Sequence, residues 1–189
     1  MRIVSGRLGG RRLAAPRGRG IRPTLERVRE AIFDVLQSRV EGARVLDLFA
    51  GSGALGLEAL SRGASRVVFV DVELRALEAL RENARRLDVR LDPDQVLHLP
   101  ALQAISRLHQ RGESFDLIFL DPPWEGGFYD ETLLSLSLAP GLVAPGAWVI
   151  VEHSRHLDVS PVYGALRKDR ERQYGDTRVS YFRCQEASR

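Results

Sequence analysis

The segment Arg44-Val45-Leu46-Asp47-Leu48-Phe49-Ala50-Gly51-Ser52-Gly53-Ala54-Leu55-Gly56 contains the strongest fold signal of the chain. Residues 44–49 are mostly apolar and predict a buried strand. Gly51, Gly53 and Gly56 then match the spacing G-x-G-x-x-G, in which glycines allow a ligand to approach the backbone at a helix N-terminus. The spacing alone is a weak signal, but the segment as a whole predicts a strand, a ligand-accessible turn and a helix reaching about Arg62.

Strands and helices alternate around this unit, which predicts an α/β fold with a doubly wound, mostly parallel sheet. The other expected strands cover residues 66–71, 95–99, 115–120 and 147–152. Helices are expected from Thr24 as the cap to about Gly42, over residues 74–87 and 102–111, and from Asp130 as the cap to Leu138. The apolar face of the first helix is expected to comprise Val28, Ala31, Ile32, Val35 and Leu36.

The C-terminal part breaks this alternation. Residues 166–174 and 177–184, joined at Gly175-Asp176, predict an antiparallel hairpin that covers the edge of the sheet. Its exposed charges predict a solvated face. Residues 140–146, which include Pro140 and Gly146, are expected to form a loop.

Length and composition predict one cytoplasmic domain over residues 1–189. With 44% hydrophobic residues, the 189-residue chain can bury one core, and no run approaches 18 uncharged apolar residues. The N-terminus lacks the apolar core of a signal peptide. One cysteine, Cys184, and four scattered histidines give no zinc spacing and no support for a Ser/His or Cys/His hydrolase, so we expect no metal.

Positive charge is concentrated at the N-terminal end. Residues 1–29 contain nine arginines and one acid, a net charge of +8, whereas the whole chain carries +3, so the remaining residues carry −5. Such asymmetry indicates a polyanionic partner. Residues 2–5 and 11–14 predict a small hairpin followed by a Gly/Pro/Arg loop to Ile21, the alternative being a disordered basic tail.

Asp71 ends the predicted strand 66–71, twenty residues after Gly51. In doubly wound folds this is the position from which a carboxylate binds ribose hydroxyls. The alternative is that Asp71 caps the helix over residues 74–87, and both roles require its two oxygens to be shared. We favour the ribose.

Asp121-Pro122-Pro123-Trp124 follows the apolar strand 115–120. The prolines fix φ and donate no backbone hydrogen bond, so nearby carbonyls lack ladder partners. Those carbonyls and the Asp121 carboxylate can accept hydrogen bonds from an exocyclic amine, while Trp124 can stack on the ring that carries it. The tetrapeptide therefore indicates a nucleobase site; the alternative is a capped, proline-terminated strand with Trp124 in the core.

These motifs together resemble a class I S-adenosylmethionine-dependent methyltransferase of the amino-methylating type. The resemblance is closer still to the RsmD family, through Ile21-Arg22-Pro23-Thr24 with residues 27–30, the block from Phe49 to Arg62, and the tetrapeptide at Asp121. That family methylates the exocyclic N2 of one guanine in 16S ribosomal RNA of the small subunit. The resemblance covers nearly the whole chain, with residues 1–23 as a basic β-hairpin and loop extension for RNA and residues 24–189 as the catalytic core.

The resemblance implies S-adenosylmethionine as cofactor. Asp47, Gly51 and Gly53 would surround its methionine end, and Asp71 would hold its ribose. The implied cofactor-binding set is Asp47, Phe49, Ala50, Gly51, Ser52, Gly53, Asp71, Val72, Pro100, Ala101 and Asp121. Pro100 departs from the family, which often places Asp or Asn near the adenine, so the adenine would be held by the Ala101 N–H with Pro100 and Val72 as apolar contacts.

The implied substrate is ribosomal RNA, in the small subunit or an assembly intermediate, and we expect a monomer with no membrane association. Asp121, Pro122, Pro123 and Trp124 would form the catalytic set, with a flipped guanine stacked on Trp124. Methyl transfer would be a direct displacement that needs geometry rather than a strong base. The expected RNA-binding residues are Arg7, Arg11, Arg12, Arg17, Arg19, Arg22 and Arg27.

Three other functions remain open from the sequence. An N6-adenine DNA methyltransferase also suits the Asp-Pro-Pro-aromatic motif, but the chain has no room for a separate recognition domain. A nicotinamide-dependent dehydrogenase suits the glycine turn but leaves the tetrapeptide and the basic arm unexplained. A catalytically silent RNA-binding protein is opposed by the intact glycines and Asp121.

Overall fold

The computed structural model describes residues 1–14, 26–123 and 127–185. The chain folds as two compact units, Met1–Leu99 and Pro100–Arg189. That residues 1–189 act as one domain stays a prediction.

The first unit contains three parallel strands in the order β3-β2-β1. Their bounds are Arg44–Leu48 for β1, Arg66–Asp71 for β2 and Val96–His98 for β3. The helices are α1 (Glu26–Leu36), α2 (Ala54–Ser61) and α3 (Leu74–Arg86), with 3₁₀ turns at Gln37–Arg39 and Pro93–Gln95. Because β1 and β2 are parallel, the glycine turn after β1 and Asp71 at the end of β2 lie at the same edge of the sheet.

The second unit orders its strands β4-β5-β8-β7-β6, with β4 and β5 parallel and the remaining pairs antiparallel. The strand bounds are Phe115–Leu120 for β4, Val143–Ser154 for β5, Val162–Tyr163 for β6, Leu166–Tyr174 for β7 and Thr177–Cys184 for β8. The helices are α4 (Ala101–Gln110) and α5 (Phe128–Ser137). The predicted α/β class with mostly parallel core strands and a C-terminal antiparallel hairpin is confirmed.

Two boundary predictions in the second unit are wrong. Strand β5 begins at Val143 rather than Ala147, because its pairing with β4 accommodates Pro145 and Gly146 in an irregularity between Phe115 and Leu117. Helix α5 begins at Phe128 with Gly127 as its N-cap at φ 67°, so Asp130 lies in the first turn and does not cap it. The Asp130 carboxylate instead accepts a hydrogen bond from the Tyr163 hydroxyl.

Helix α1 also differs from its prediction. Its predicted start at Thr24 lies outside the described residues, and the α-helix ends at Leu36, well before Gly42. Val28, Ile32 and Leu36 are buried as predicted, but Phe33 and Arg29 are buried as well, while Ala31 and Val35 are only half-buried. Arg29 can be fully buried because its guanidinium lies 3.5 Å from the buried carboxylate of Glu58 on α2.

Residues 1–14 form the predicted hairpin rather than a disordered tail. Arg2 and Arg12 form an antiparallel bridge, and Ile3 and Leu13 donate backbone hydrogen bonds to Arg11 and Met1 at 3.0 and 2.9 Å. The pairing is limited to this bridge, so the two strands are shorter than predicted. Ile3, Leu8 and Leu13 are buried, which anchors the hairpin by its apolar side chains.

Among residues 1–14, 26–123 and 127–185, the structure contains no helix with the length and apolar character that crossing a membrane requires.

Candidate cofactor and base sites

The turn after β1 adopts the strained backbone typical of a ligand loop. Phe49 has φ 66° although it is not glycine, and Gly51 and Gly53 have φ values of 55° and 82°. A Cβ atom at Gly51 would meet no heavy atom within 4 Å, so open space lies beside its backbone. The loop is therefore held in a conformation that exposes the Gly51 backbone to a ligand.

The other two glycines of the G-x-G-x-x-G spacing serve packing. A Cβ atom at Gly53 would lie 2.2 Å from Leu80 Cδ1 on α3, and one at Gly56 would lie 2.3 Å from the ring of Phe69 on β2. Neither distance is possible without movement of the neighbour. Of the three glycines, Gly51 is thus the one that borders open space, a division of roles that the spacing did not reveal.

Asp47 is buried near the end of β1 and connects that strand to α2. Its Oδ2 accepts a hydrogen bond from the Gly56 N–H at 2.9 Å. The first turn of a helix has N–H groups without an intrahelical acceptor, and a carboxylate there is also favoured by the helix dipole. Asp47 therefore positions α2 directly; its contact with a cofactor stays a prediction.

Asp71 shares its two carboxylate oxygens between two elements. Oδ2 accepts the Gly51 N–H at 2.7 Å, and Oδ1 accepts the N–H of Glu73, the N-cap of α3, at 2.8 Å. The side chain is half-buried, and each carboxylate oxygen can accept a second hydrogen bond. The carboxylate thus fixes the glycine turn and keeps capacity for hydroxyl donors.

An apolar surface follows Asp71. Val72 is 52% exposed, and its carbonyl accepts a hydrogen bond from His98 Nε2 at 2.9 Å, which connects the ends of β2 and β3. In the second unit, Pro100 is exposed and stands at the N-cap of α4, so the Ala101 N–H has no intrahelical acceptor. These geometries fit apolar contact at Val72 and hydrogen-bond donation at Ala101.

The residues after β4 fit an amine-accepting site. Asp121 is half-buried, Pro122 is buried and Pro123 is exposed, whereas Trp124 lies outside the described residues. The hydroxyl of Tyr129 on α5 lies 3.5 Å from the Pro122 carbonyl oxygen. Tyr129 is only 2% exposed, so a buried phenol supports the carbonyl that was predicted to accept the amine.

Tyr129 stands in an acidic environment. Burial raises the pKa of its phenol above the ordinary value, and the carboxylates of Asp121 and Glu152 raise it further. The phenol therefore stays neutral and acts as a donor at any physiological pH. Its ring makes an edge-to-face contact with His153, with 6.2 Å between centroids.

The N-terminal hairpin is attached to α2 through Glu58, which is fully buried. The Val4 and Ser5 N–H groups donate to its two carboxylate oxygens at 2.7 and 3.0 Å. Arg62 Nε donates to it at 2.8 Å, and the buried Arg29 lies 3.5 Å away. Burial lowers the pKa of Arg29, and Glu58 opposes that shift.

Asn83 on α3 connects the hairpin to the glycine turn. Its Oδ1 accepts the Ala14 N–H at 2.7 Å, and its Nδ2 donates at 3.0 Å to the carbonyls of both Ala14 and Ser52. The end of the basic hairpin is therefore one side chain away from the turn at Ser52.

The predicted RNA-binding arginines differ in their surroundings. Arg7, Arg12 and Arg27 are exposed. Arg11 instead donates to the carbonyls of Arg86 and Leu87 at the end of α3 and pairs with Asp88 at 3.0 Å. Arg17, Arg19 and Arg22 lie outside the described residues. Arg11 thus has a structural partner, whereas Arg7, Arg12 and Arg27 present their side chains to solvent.

Sequence reasoning missed Glu58, Asn83 and Tyr129 as supporting residues. Each acts on a segment distant in the chain, so no local pattern predicts it; the one usable signal was an aromatic residue five positions after Trp124. Within the parts of the chain that the structure describes, no group of three or more His, Cys, Asp or Glu side chains could hold a metal ion.

Comparisons with known proteins match most or nearly all of the chain. The family model described as "Conserved hypothetical protein 95" matches residues 1–183. The ribosomal RNA small subunit methyltransferase D of Escherichia coli K12 is 38% identical over 152 residues, which are 80% of this chain and 74% of that protein. The candidate rRNA methyltransferase YlbH of Bacillus subtilis is 36% identical over 183 residues, 97% of this chain and 98% of its own.

A solved structure of a methyltransferase is also similar to this chain. The candidate methyltransferase yhhF from Escherichia coli superposes with a TM-score of 0.84 at 30% identity and covers 98% of both chains. The likeness therefore covers nearly the whole length of the chain and is not confined to the glycine turn.

Proposed function

The chain belongs to the family described as conserved hypothetical protein 95, the RsmD family, and from that premise we propose that it transfers a methyl group from S-adenosylmethionine to the exocyclic N2 of a guanine in 16S ribosomal RNA of the small subunit. The chain is an S-adenosylmethionine-dependent rRNA methyltransferase, and guanine N2 as the methylated atom is part of the proposal. The observation that carries the proposal is the end of β4, where Asp121 and the Pro122 carbonyl, supported by Tyr129, offer two acceptors to one amine.

The glycine turn fits S-adenosylmethionine. The open space beside the Gly51 backbone admits a ligand, and the spare lone pairs of Asp71 suit ribose hydroxyls. When bound, the cofactor supplies a methyl group on a sulfonium centre, which is already a good leaving arrangement. Asp47, Phe49, Ala50, Ser52 and Gly53 would form the rest of the turn around it, with Val72 against its apolar part.

Pro100 and Ala101 keep their proposed role towards the adenine. The Ala101 N–H at the start of α4 is a free donor in the helix, and Pro100 is an exposed apolar ring. Backbone donation would replace the Asp or Asn side chain that the family often carries there. This assignment rests on the family resemblance and on the local geometry of α4.

Asp121 and Pro122 would orient the amine rather than deprotonate it. The amine lone pair of guanine is delocalised into the ring, so hydrogen bonds that hold both N–H groups in place direct the lone pair towards the methyl group. A carbonyl oxygen has two lone pairs, so Pro122 can accept from Tyr129 and from the amine together. Positive charge that develops on the amine nitrogen would be offset by the Asp121 carboxylate, which would accept one of its N–H groups.

The RNA would be held by the exposed arginines Arg7, Arg12 and Arg27, and by Arg17, Arg19 and Arg22 of the adjoining segment. A guanine flipped from folded RNA at a cost of roughly a few kcal/mol would stack on Trp124. We further propose that the protein acts as a cytoplasmic monomer on the small subunit or an assembly intermediate. Arg11 would contribute indirectly, by fixing the hairpin to α3.

The test is transfer of labelled methyl from S-adenosylmethionine to small ribosomal subunits that lack the modification, with wild type and Asp121→Ala in parallel. Nucleoside analysis should find N2-methylguanosine with wild type and none with the variant. Label in N6-methyladenine, with duplex DNA as the better substrate, would replace the RNA assignment by the DNA one. Tight binding of NAD without any methyl transfer would overturn the reaction itself.

A further inference from the structure

The C-terminal hairpin carries a one-sided arginine surface. Arg167 lies opposite Arg183 in the β7–β8 register, Arg170 lies opposite Tyr181, and Arg172 lies opposite Val179. A register shift between Lys168 and Arg170 inserts one extra residue, Asp169. Since side chains alternate along a strand, this bulge brings Arg167, Arg170 and Arg172 to one face, the face that also carries Arg183.

All four arginines are exposed. The acid of the described chain that pairs with them is Asp169, whose Oδ2 lies 2.8 Å from Arg170 Nε. Arg167 donates to the neutral side chain of Gln185 at 2.8 Å. This face, which we name the arginine face (Arg167, Arg170, Arg172 and Arg183), therefore keeps a surplus of positive charge.

The opposite face of the same hairpin carries a smaller positive surplus, with one acid against two basic residues. Glu171 pairs there with Lys168 at 3.0 Å and with Arg178 at 3.4 Å, and it accepts the Ser180 hydroxyl at 2.8 Å. The positive charge of the C-terminal hairpin is therefore concentrated on the arginine face.

Two contacts support a binding role for the arginine face. Arg167 and Arg183 are directly opposite each other, an arrangement that is unfavourable for like charges unless an anion lies between or above them. The Arg170 guanidinium lies 5.7 Å from the centroid of the Trp148 ring, and Trp148 makes an edge-to-face contact with Tyr181 at 6.4 Å. Stacking on Trp148 holds the guanidinium in place, which lowers the entropy lost on binding.

We propose that the arginine face binds phosphates of the RNA substrate, as a second contact surface besides the N-terminal hairpin. The inference rests on the proposed function for the identity of the polyanion. From Arg167 to Arg172 the strand extends roughly 15 Å, which is long enough to meet more than one phosphate. Arginine suits this role because its planar fork donates two parallel hydrogen bonds to a phosphate.

The test compares wild type with the quadruple variant Arg167→Gln/Arg170→Gln/Arg172→Gln/Arg183→Gln. The matched control removes four exposed arginines elsewhere, through Arg81→Gln/Arg90→Gln/Arg107→Gln/Arg111→Gln. Affinity for 16S RNA is measured by filter binding between 50 and 200 mM salt, together with KM for RNA and cofactor affinity. Circular dichroism confirms that each variant is folded.

The quadruple variant of the arginine face should bind RNA at least roughly tenfold more weakly than wild type. The slope of log K against log salt should become less steep by about 3. Cofactor affinity should not change, and arginine-to-lysine changes at the same four positions should retain most of the salt slope. An equal loss in the control variant would reduce the effect to net charge and overturn the proposal. Unchanged RNA affinity in the quadruple variant of the arginine face would also overturn the proposal.

The outcome separates this inference from the proposed function. One outcome is that wild type makes N2-methylguanosine while the quadruple variant of the arginine face has the same RNA affinity and the same KM for RNA. In that case the arginine face is rejected as an RNA-binding surface and the proposed function stands. If wild type methylates no RNA, the function is rejected, and the binding data still decide whether the arginine face contacts RNA.

Discussion

Tyr129 is the residue through which the proposed base site can be tested most directly. The Tyr129→Phe variant removes the hydroxyl that lies 3.5 Å from the Pro122 carbonyl and keeps the buried ring. Because a hydrogen bond of this kind contributes about 1 kcal/mol, kcat should fall roughly fivefold while cofactor affinity is unchanged. Methyl-transfer kinetics measure both quantities.

Tyr163→Phe is the matched control for that prediction. It also removes the hydroxyl of a buried tyrosine in the same unit, one that is bonded to Asp130 rather than to Pro122. It should cost stability without lowering kcat of the folded enzyme. A similar kcat loss in both variants would mean that Tyr129 acts through general packing and not through Pro122.

The glycines of the turn should separate ligand binding from stability. Gly51→Ala adds a Cβ atom to open space, so the free energy of unfolding should fall only by the cost of a left-handed φ, about 1 kcal/mol. Cofactor affinity should drop, because the ligand would meet the new methyl group. Gly56→Ala forces a Cβ atom against Phe69 and should lose stability by about 1–3 kcal/mol.

Urea denaturation and isothermal titration with S-adenosylmethionine measure the two effects on the same preparations. The glycine prediction fails if Gly51→Ala binds the cofactor as wild type does. It also fails if Gly56→Ala is as stable as wild type.

At the level of elements, Glu58 holds α1, α2 and the N-terminal hairpin together. Glu58→Ala should lower the free energy of unfolding by about 3–5 kcal/mol, because Arg29 is then buried without its counter-charge and the Val4 and Ser5 N–H groups lose their acceptor. Hydrogen exchange should increase over residues 1–14 more than elsewhere. Urea denaturation gives the total loss, and exchange gives its location.

A double variant tests the cause of that loss. In Glu58→Ala/Arg29→Met both buried charges are removed, so the double variant should be more stable than Glu58→Ala alone. If it is less stable by the full sum of the two single losses, the pair does not interact and the hairpin hydrogen bonds explain the whole effect of Glu58.

The elements that were predicted accurately are specified by the residues of the element itself. Residues 66–71 and 115–120 are mostly apolar, and a Gly-Asp turn joins residues 166–174 to residues 177–184. All four strands have the predicted bounds. The start of β5 at Val143 and the burial of Arg29 depend on partners elsewhere in the chain. Periodicity describes a helix face, but it contains no information on which charge a distant carboxylate will neutralise.

The candidate site can be predicted from the sequence only in part. Gly51, Asp71 and Asp121 were proposed because their types and positions at strand ends are informative by themselves, and their contacts with a ligand stay predictions. The bond between Asp71 and Gly51, the support of Pro122 by Tyr129 and the link from Asn83 to Ser52 are tertiary contacts, and no motif specifies them. What a single sequence leaves out here is how each ligand-binding group is held in position.

For the whole molecule, the N-terminal charge is a smaller surplus than the sequence suggests. Of the nine arginines in residues 1–29, Arg2 pairs with Glu26, Arg11 with Asp88 and Arg29 with Glu58. Counting charges along the chain cannot separate arginines with intramolecular partners from those that face solvent. In the described part of this region, Arg7, Arg12 and Arg27 are the ones presented for binding.

This distinction determines how the RNA role of the N-terminal region should be tested. Deleting residues 1–14 would remove the buried side chains of Ile3, Leu8 and Leu13, so a loss of RNA binding would follow from instability as well as from lost charge. Arg7→Gln/Arg12→Gln/Arg27→Gln removes the charges and leaves the hairpin in place. RNA affinity should fall and the salt slope should become less steep by about 2, with cofactor affinity and urea midpoint unchanged.

Arg11→Gln is the control for the triple variant of Arg7, Arg12 and Arg27, because Arg11 has an intramolecular partner. Its guanidinium binds the end of α3, so Arg11→Gln should lower the urea midpoint and leave the salt slope of RNA binding nearly as steep as in wild type. The opposite pattern, an unchanged midpoint with a reduced slope, would show that Arg11 leaves Asp88 to bind RNA and that the hairpin rearranges in the complex. Since the hairpin meets Asn83 and Asn83 meets Ser52, that rearrangement would then be visible as a change in S-adenosylmethionine affinity when RNA is bound.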